Sequence, residues 1–320
     1  VPKDFSEALK CFRKAAEQGD AMAQNNIGVI YLNGLGVEKN FTEALKWFRN
    51  AAESGNVLAQ NNLGLMYQDG EGVEKDYMEA AKWYQKAAEQ GHAEAQNNLG
   101  CMYLKGTGVT QDFKEALKWF QKATENGDHD GALNLGVMYL NGYGITKDYT
   151  AALKWFRKAA EQENARAQYN LGVMYQQGDG VTQNFTEAVK WYQKAASNGD
   201  SDGQLNLGFM YLNGLGIPKN FTEALKWFHK AAEQGEAIAQ NNIGMMYMNG
   251  DGVAKDFGEA LKWLSKSAEQ GYPLAQFNIG MMYAEGKGVT KSVKEARYWL
   301  EKAAAQGHED ARKELSKLNE

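Results

Sequence analysis

An all-α solenoid of antiparallel helix pairs is the fold class that this sequence predicts, and three observations carry it. The eight tryptophans, Trp47, Trp83, Trp119, Trp155, Trp191, Trp227, Trp263 and Trp299, follow one another at intervals of 36 residues, with no insertion anywhere. Glycine keeps the same register in rows through Gly28 to Gly280, Gly34 to Gly286, Gly36 to Gly288 and Gly19 to Gly307, and only Glu163 breaks them. Within each interval the apolar residues follow the 3.6-residue period of two amphipathic helices. The repeat replaces the two domains of about 150 residues that a 320-residue length would suggest.

The elements follow in order. Val1-Pro2-Lys3-Asp4-Phe5 aligns with Ile217-Pro218-Lys219-Asn220-Phe221, so residue 1 falls inside a repeat and residues 1–19 read as the second helix of a truncated unit. Residues 20–307 read as eight complete units. In the first, helix A (20–33) places Ala23, Ile27, Ile30 and Tyr31 on one face, and Gly34 supplies a left-handed C-cap. The turn Gly34-Leu35-Gly36-Val37 leads to helix B (41–54). Asn40 caps this helix with Glu43 three positions on, a capping box, and Phe41, Ala44, Leu45, Trp47 and Phe48 form its buried face before Gly55. The caps recur as Asp4, Asn40, Asp76, Asp112, Asp148, Asn184, Asn220, Asp256 and Ser292, so every helix B start is specified locally. Alanine fills the row Ala8, Ala44, Ala80 to Ala296, as a close helix crossing requires. Glu163, standing where other units end helix B with glycine, is expected to strain its C-cap. Residues 308–320 read as a polar C-terminal capping helix, with Leu315-Ser316-Lys317-Leu318 in place of the Leu-Gly-x-x-Tyr core.

Composition removes several classes of function. Hydrophobic residues at 43%, aromatics at 12% and only 3 Pro exclude a disordered or collagenous chain. A net charge of −5 gives no bulk attraction to phosphate backbones or anionic lipid, so no nucleic acid and no membrane surface is expected as partner. No uncharged apolar run approaches the roughly 20 residues of a membrane span, so no membrane insertion is expected. Cys11 and Cys101 stand two and a half repeats apart and should not meet. Unpaired cysteines favour a reducing compartment, with secreted or periplasmic placement left open.

The pattern A-x-x-x-[LI]-G-x-x-Y-x-x-G-x-G-V, then A-x-x-W and A-A-x-x-G, resembles the Sel-one-like repeat, a cousin of the tetratricopeptide repeat. The resemblance covers all eight complete units. It implies a right-handed superhelix with A helices lining a concave surface and B helices a convex one.

Candidate function sits on helix A away from the core. With Ile27 at the centre of the buried face, positions equivalent to 22, 25, 29, 32 and 33 lie opposite, with 26 on the flank. Position 26 is asparagine in every unit: Asn26, Asn62, Asn98, Asn134, Asn170, Asn206, Asn242 and Asn278. Asparagine is a mediocre helix former, so the row needs a reason. A row of amides can hold the backbone of an extended peptide, and this resembles the asparagine of tetratricopeptide clamps; it can equally bond neighbouring helices and set the inter-repeat angle. Position 25 varies through Asn25, Asn61, Asn97, Leu133, Tyr169, Leu205, Asn241 and Phe277, and position 29 runs through Cys101 to Phe209, Met245 and Met281. Apolar side chains in a groove point to recognition of a protein or peptide, unless neighbouring A helices bury them.

The remaining signals have bland readings beside sharp ones. Asp128, Asp130, Asp200, Asp202, Glu94 and Glu236 form either a patch for a basic partner or ordinary first-turn carboxylates. Lys46, Lys82 and their equivalents mark a solvated outer face. The sequons at Asn40, Asn184 and Asn220 coincide with N-caps. Asp128-His129-Asp130-Gly131 lacks the further ligands of a calcium loop, so no metal is expected. His92, His129, His229 and His308 are scattered, and no metalloprotease, nucleophile-elbow, phosphate-loop or Ser-x-x-Lys pattern occurs. Some cysteine-rich members of the family have been linked to penicillin binding, but this chain lacks their paired cysteines. The sequence therefore predicts a monomeric, cofactor-free, non-enzymatic adaptor that holds a protein or extended peptide in the A-helix groove. Asn26 and its row would grip backbone, while Leu133, Tyr169, Leu205, Phe209, Met245, Phe277 and Met281 would meet side chains. The alternatives are a cell-wall or carbohydrate-related protein and a purely structural spacer.

Overall fold

The computed structural model describes residues 5–318 and contains, among them, helices and no strands. They fall into two compact units, Val1–Gln162 and Glu163–Glu320, and the boundary lies where Glu163 breaks the glycine row. The first unit holds α1 (Phe5–Ala16), α2 (Ala21–Asn33), α3 (Phe41–Glu53), α4 (Val57–Asp69), α5 (Tyr77–Glu89), α6 (Ala93–Lys105), α7 (Phe113–Glu125), α8 (His129–Asn141) and α9 (Tyr149–Ala160). The second holds α10 (Ala165–Gln177), α11 (Phe185–Ser197), α12 (Ser201–Asn213), α13 (Phe221–Glu233), α14 (Ala237–Asn249), α15 (Phe257–Glu269), α16 (Pro273–Glu285), α17 (Val293–Ala305) and α18 (Glu309–Lys317). Within each unit consecutive helices pack pairwise, an all-α solenoid of 36-residue repeats.

Local chemistry sets the helix ends. Each helix A of a complete unit stops at a glycine in the left-handed region, from Gly34 (φ 68°) to Gly286 (φ 72°). Each helix B from α3 onward starts at a residue whose side chain accepts a backbone N–H, as Asn40 Oδ1 accepts from Glu43 N at 3.0 Å. Asp4 lies outside the described residues. The reciprocal half of the capping box does not form. The backbone N–H of Asn40 donates instead to the carbonyl of Tyr31 (2.9 Å), and the same bond recurs from Asp76 to Tyr67 through Ser292 to Tyr283. The loop thus folds back on the helix that precedes it, which frees the glutamates to pair with lysines one turn on, as Glu115 does with Lys118 at 3.0 Å.

Packing follows the rows. Ala44, Ala80, Ala116 and their equivalents to Ala296 have no exposed surface. A side chain on Gly136 would sit 2.5 Å from the ring of Phe156, so this helix A position accepts only hydrogen. The tryptophans differ from expectation. Trp119 and Trp227 are buried, whereas Trp47 and the others remain half-buried, as does Phe41. The reason is their place at the seam between repeats. Trp47 leans on a cluster that joins Leu9 of the preceding unit to Ile27 and Ile30 of its own. From Trp83 onward a ring face is covered by a lysine one turn on, with Lys86 Nζ 3.8 Å from the Trp83 ring centre and Lys230 4.2 Å from that of Trp227, while Trp47 has Asn50 in that place.

Candidate interaction face

Helix A presents its position 25 side chain to the next repeat and its position 26 amide to the preceding one. Asn62 Nδ2 donates to Asn25 Oδ1 (3.1 Å), Asn134 to Asn97 (2.8 Å) and Asn278 to Asn241 (3.0 Å), each pair joining A helices of consecutive repeats. Where the preceding position 25 is not asparagine, the amide turns inward on its own helix. Asn206 Nδ2 donates to the carbonyl of Asp202 (2.9 Å) and Asn242 Nδ2 to that of Ile238 (2.7 Å). Asn98 Nδ2 and Asn61 Oδ1, which occupy the equivalent rung, are buried and bond to nothing. Asn26 and Asn170 are half-buried, and Asn26 lines a cavity of about 450 Å³ with Phe5, Phe12 and Val29.

The expected exposure of position 25 is corrected. Asn25 (3%), Asn61 (3%), Asn241 (2%) and Leu205 (6%) are buried, because adjacent A helices lie close enough for position 25 of one to meet position 26 of the next. Leu133, Tyr169 and Phe277 stay half-buried, as do Phe209, Met245 and Met281 at position 29. Each aromatic has a partner. Tyr169 tilts on Tyr192 at 5.9 Å, Phe209 meets Phe228 edge-on at 5.3 Å, and Phe277 stacks on His308 at 4.6 Å.

Charge concentrates near the start of this face in the second unit. Arg166 pairs with Asp202, stands 3.5 Å from Asp200 and lies 4.7 Å above the Tyr169 ring. Burial raises the Asp200 carboxyl above the usual carboxylate range, against the opposing pull of the Gly203 N–H and Arg166. Burial also raises the Tyr169 hydroxyl, with Asp202 adding to it. Asp128 and Asp200 each cap a helix A, on Gly131 N and Gly203 N at 2.7 Å, whereas Glu236 at the equivalent place makes no cap bond and accepts the Ser201 hydroxyl at 2.9 Å. In the first unit burial pushes the Cys101 thiol up, while nearby Lys105 works the other way. A thiol held protonated is a poor nucleophile.

Sequence reasoning missed a second amide row. Gln60 Nε2 donates to the carbonyl of Ala52 (3.2 Å) and Gln60 Oε1 accepts from Gln90 (2.7 Å), bridging the helix B before it and the helix B after it. Gln204 repeats this with Ala196 (3.2 Å) and Gln234 (2.9 Å), and Gln276 with Ala268 (3.2 Å) and Gln306 (2.9 Å). The signal was present: Gln24, Gln60, Gln96, Gln168, Gln204, Gln240 and Gln276 share one register beside the apolar stripe. Among the described residues, no group of three metal-ligating side chains forms and no helix is long and apolar enough to cross a membrane.

The Sel1 repeat model matches residues 1–20, 21–56, 57–92, 93–128, 129–164, 165–200, 201–236, 237–272 and 273–308, end to end. The chain belongs to the Sel1 repeat family. Among solved structures it is similar to c5321, a protective antigen of uropathogenic Escherichia coli displaying an SLR fold, at 42% identity and a TM-score of 0.83. That match covers 96% of this chain and 66% of the other, so the Sel1 repeats here span just under two thirds of its length. It is also similar to a Sel1 repeat protein from Oxalobacter formigenes, at 34% identity and a TM-score of 0.70, covering 97% of this chain and 90% of that one. No curated protein matches the sequence. Sel1 repeat proteins are generally protein-interaction scaffolds.

Proposed function

We propose that this Sel1 repeat chain is a non-catalytic adaptor that holds a protein or extended peptide against its A-helix face. The observation that carries the reading is the position 29 row of the second unit. Phe209, Met245 and Met281 are half-exposed at the same register of consecutive repeats, so they share one face, and methionine there suits an adaptable surface. Tyr169 and Phe277 extend that row of contacts, and Leu205 supports it from below, in the cluster on which Phe209 packs. Leu133 would play the same part in the first unit. The asparagine row serves twice in this reading. An amide that donates one N–H to its neighbour keeps its own Oδ1 and, except at Asn134, whose Nδ2 also meets Cys101 Sγ at 3.6 Å, a second N–H, so in this reading Asn26, Asn62, Asn98, Asn134, Asn170, Asn206, Asn242 and Asn278 retain groups for a peptide backbone.

The test compares the wild-type chain with two variants, Phe209→Ala/Met245→Ala/Met281→Ala and Asn134→Ala/Asn170→Ala/Asn206→Ala, in affinity capture after circular dichroism confirms equal folding. A polypeptide kept by wild type and lost by the first variant supports the reading. Identical captures from all three would reject it and leave a structural spacer. Loss with the apolar variant alone would assign the asparagines to stacking.

A further inference from the structure

Aspartate or asparagine caps α2, α4, α8, α10 and α12, but two helices of the same register are capped by histidine. His92 Nδ1 accepts the backbone N–H of Ala95 at the start of α6, and His308 Nδ1 accepts that of Ala311 at the start of α18, each at 3.2 Å. Histidine is not among the favoured capping residues, and unlike an amide it can hold this bond only while neutral. A neutral ring that accepts on Nδ1 carries its proton on Nε2. The imidazolium has an N–H on both nitrogens, so it would face the helix as donor against donor and set a positive charge at the positive end of the helix dipole.

The two caps stand in different surroundings. α6 buries six residues, among them Leu99 and Met102, and packs on both α5 and α7. α18 buries Ala311 alone and packs on α17, where Arg297 donates to the Leu318 carbonyl and Arg312 to that of Ala304, both at 3.3 Å. The cap is therefore a larger share of what holds α18 than of what holds α6. What α18 covers is Phe277. The His308 ring stacks on the Phe277 ring at 4.6 Å with 19° between the planes, and Phe277 packs on the cluster of Leu300, Ala303 and Ala311 beside Leu315 and Leu318.

Charge gives the protonated ring somewhere to go. Glu309 and Asp310 follow His308 in the first turn of α18, and the Lys313 ammonium holds the Asp310 carboxyl below the usual carboxylate range, with His308 adding to it. In its last two turns α17 brings the exposed Glu301 and Lys302, the latter drawn onto the Tyr298 and Trp299 rings. α16 carries one charged residue, Glu285, at the end remote from His308. An imidazolium thus has Asp310 to turn toward and no acceptor's role left at the cap.

We propose that His308 is a proton-operated latch: while neutral it caps α18 and lies on Phe277, and on taking up a proton it releases both, so that the aromatic and thioether row of the A-helix face gains the Phe277 ring. The latch stands whatever that face binds.

The experiment steps the full chain from about pH 8 to about pH 5, the interval in which histidine changes charge. Two readouts are followed: hydrogen-exchange protection factors, which remove the intrinsic pH dependence of exchange, for α18 and α6, and hydroxyl-radical labelling of Phe277 relative to Phe209. In wild type the protection of α18 should fall several-fold and the labelling of Phe277 should rise, while α6 stays protected. His308→Asn keeps a capping acceptor that does not titrate, as Asn56 and Asn164 show, and both readouts should stay level. His308→Asp, on the pattern of Asp200, repeats the control should the amide leave α18 undocked at the upper pH. Level readouts in wild type, an equal fall in α6, or the wild-type course in a variant whose α18 is docked at the upper pH would each overturn the latch.

Discussion

At Glu163 the backbone has φ of 61°, a left-handed conformation that every other described residue with positive φ meets with glycine. The glycines of its row, such as Gly127 and Gly199, have no atom within 4 Å of an added Cβ, so the penalty at Glu163 is conformational and not steric. Glu163→Gly should stabilise the chain by about 1 kcal/mol in urea unfolding, and a neutral result would show that the strain is relieved by the Asn198 Nδ2 bond to the Glu163 carbonyl at 3.3 Å. Gly136 presents the opposite case. Helix propensity favours Ala by up to about 1 kcal/mol, but the Phe156 ring at 2.5 Å reverses the sign, and Gly136→Ala should lower stability by about 1–3 kcal/mol. A rise in melting temperature would show that the ring can withdraw. Asp128 supplies a pH dependence. Burial raises its carboxyl, so its ionisation opposes folding: the stability it contributes is present below the unfolded pKa and is lost as pH rises through the folded one. Asp128→Asn keeps the capping acceptor, as Asn56 and Asn164 do in equivalent caps. The variant should be more stable than wild type at neutral pH, and the two should converge as pH falls through the carboxylate range. A difference that is independent of pH would place the cause elsewhere.

Between elements, the hydrogen bonds that matter join one repeat to the next. The asparagine rungs link A helices and the glutamine rungs link B helices, so where both form, as around Asn97 and Asn134 and around Asn241 and Asn278, a repeat is held to its neighbour by buried amides on two sides. Because these bonds are shielded from water, removing one partner strands the other. A double-mutant cycle on Asn97→Ala and Asn134→Ala should give a coupling energy of about 1 kcal/mol, measured by chemical unfolding. Coupling near zero would mean that the rung adds nothing to stacking and would return the asparagines wholly to ligand binding. The lysine and tryptophan pairs of the outer helices contribute less, since they are exposed on one side and the ammonium keeps much of its hydration.

For the whole molecule, stability should be distributed along the repeats of each unit, because a repeat packs on the units beside it. Removing residues 273–320 should therefore cost less, in unfolding free energy, than excising residues 93–128, which takes interfaces from both sides. Equal losses would contradict nearest-neighbour stacking. The family's members are generally interaction scaffolds, and in the adaptor proposed above the half-buried aromatic and thioether row of the second unit is where that role would take physical form.

The sequence alone determined the repeat, the helix limits and the caps, because these depend on local chemistry: a glycine that can take positive φ, a short polar side chain that reaches an N–H three residues on, and an apolar stripe of helical period. Helix A was expected at 20–33 and lies at Ala21–Asn33; helix B was expected at 41–54 and lies at Phe41–Glu53. The asparagine row was legible as a row, but its use was not. Whether an amide at position 26 faces solvent or the neighbouring helix depends on how closely consecutive A helices approach, and the hydrophobic period of one helix carries no record of that distance. The same holds for the buried Asn25 and Leu205, for the glutamine rungs, and for the loop bond from Asn40 to Tyr31 that took the place of the capping box. Only the tertiary structure decided these, since each is a contact between segments that the repeat brings together and a single helix cannot foresee.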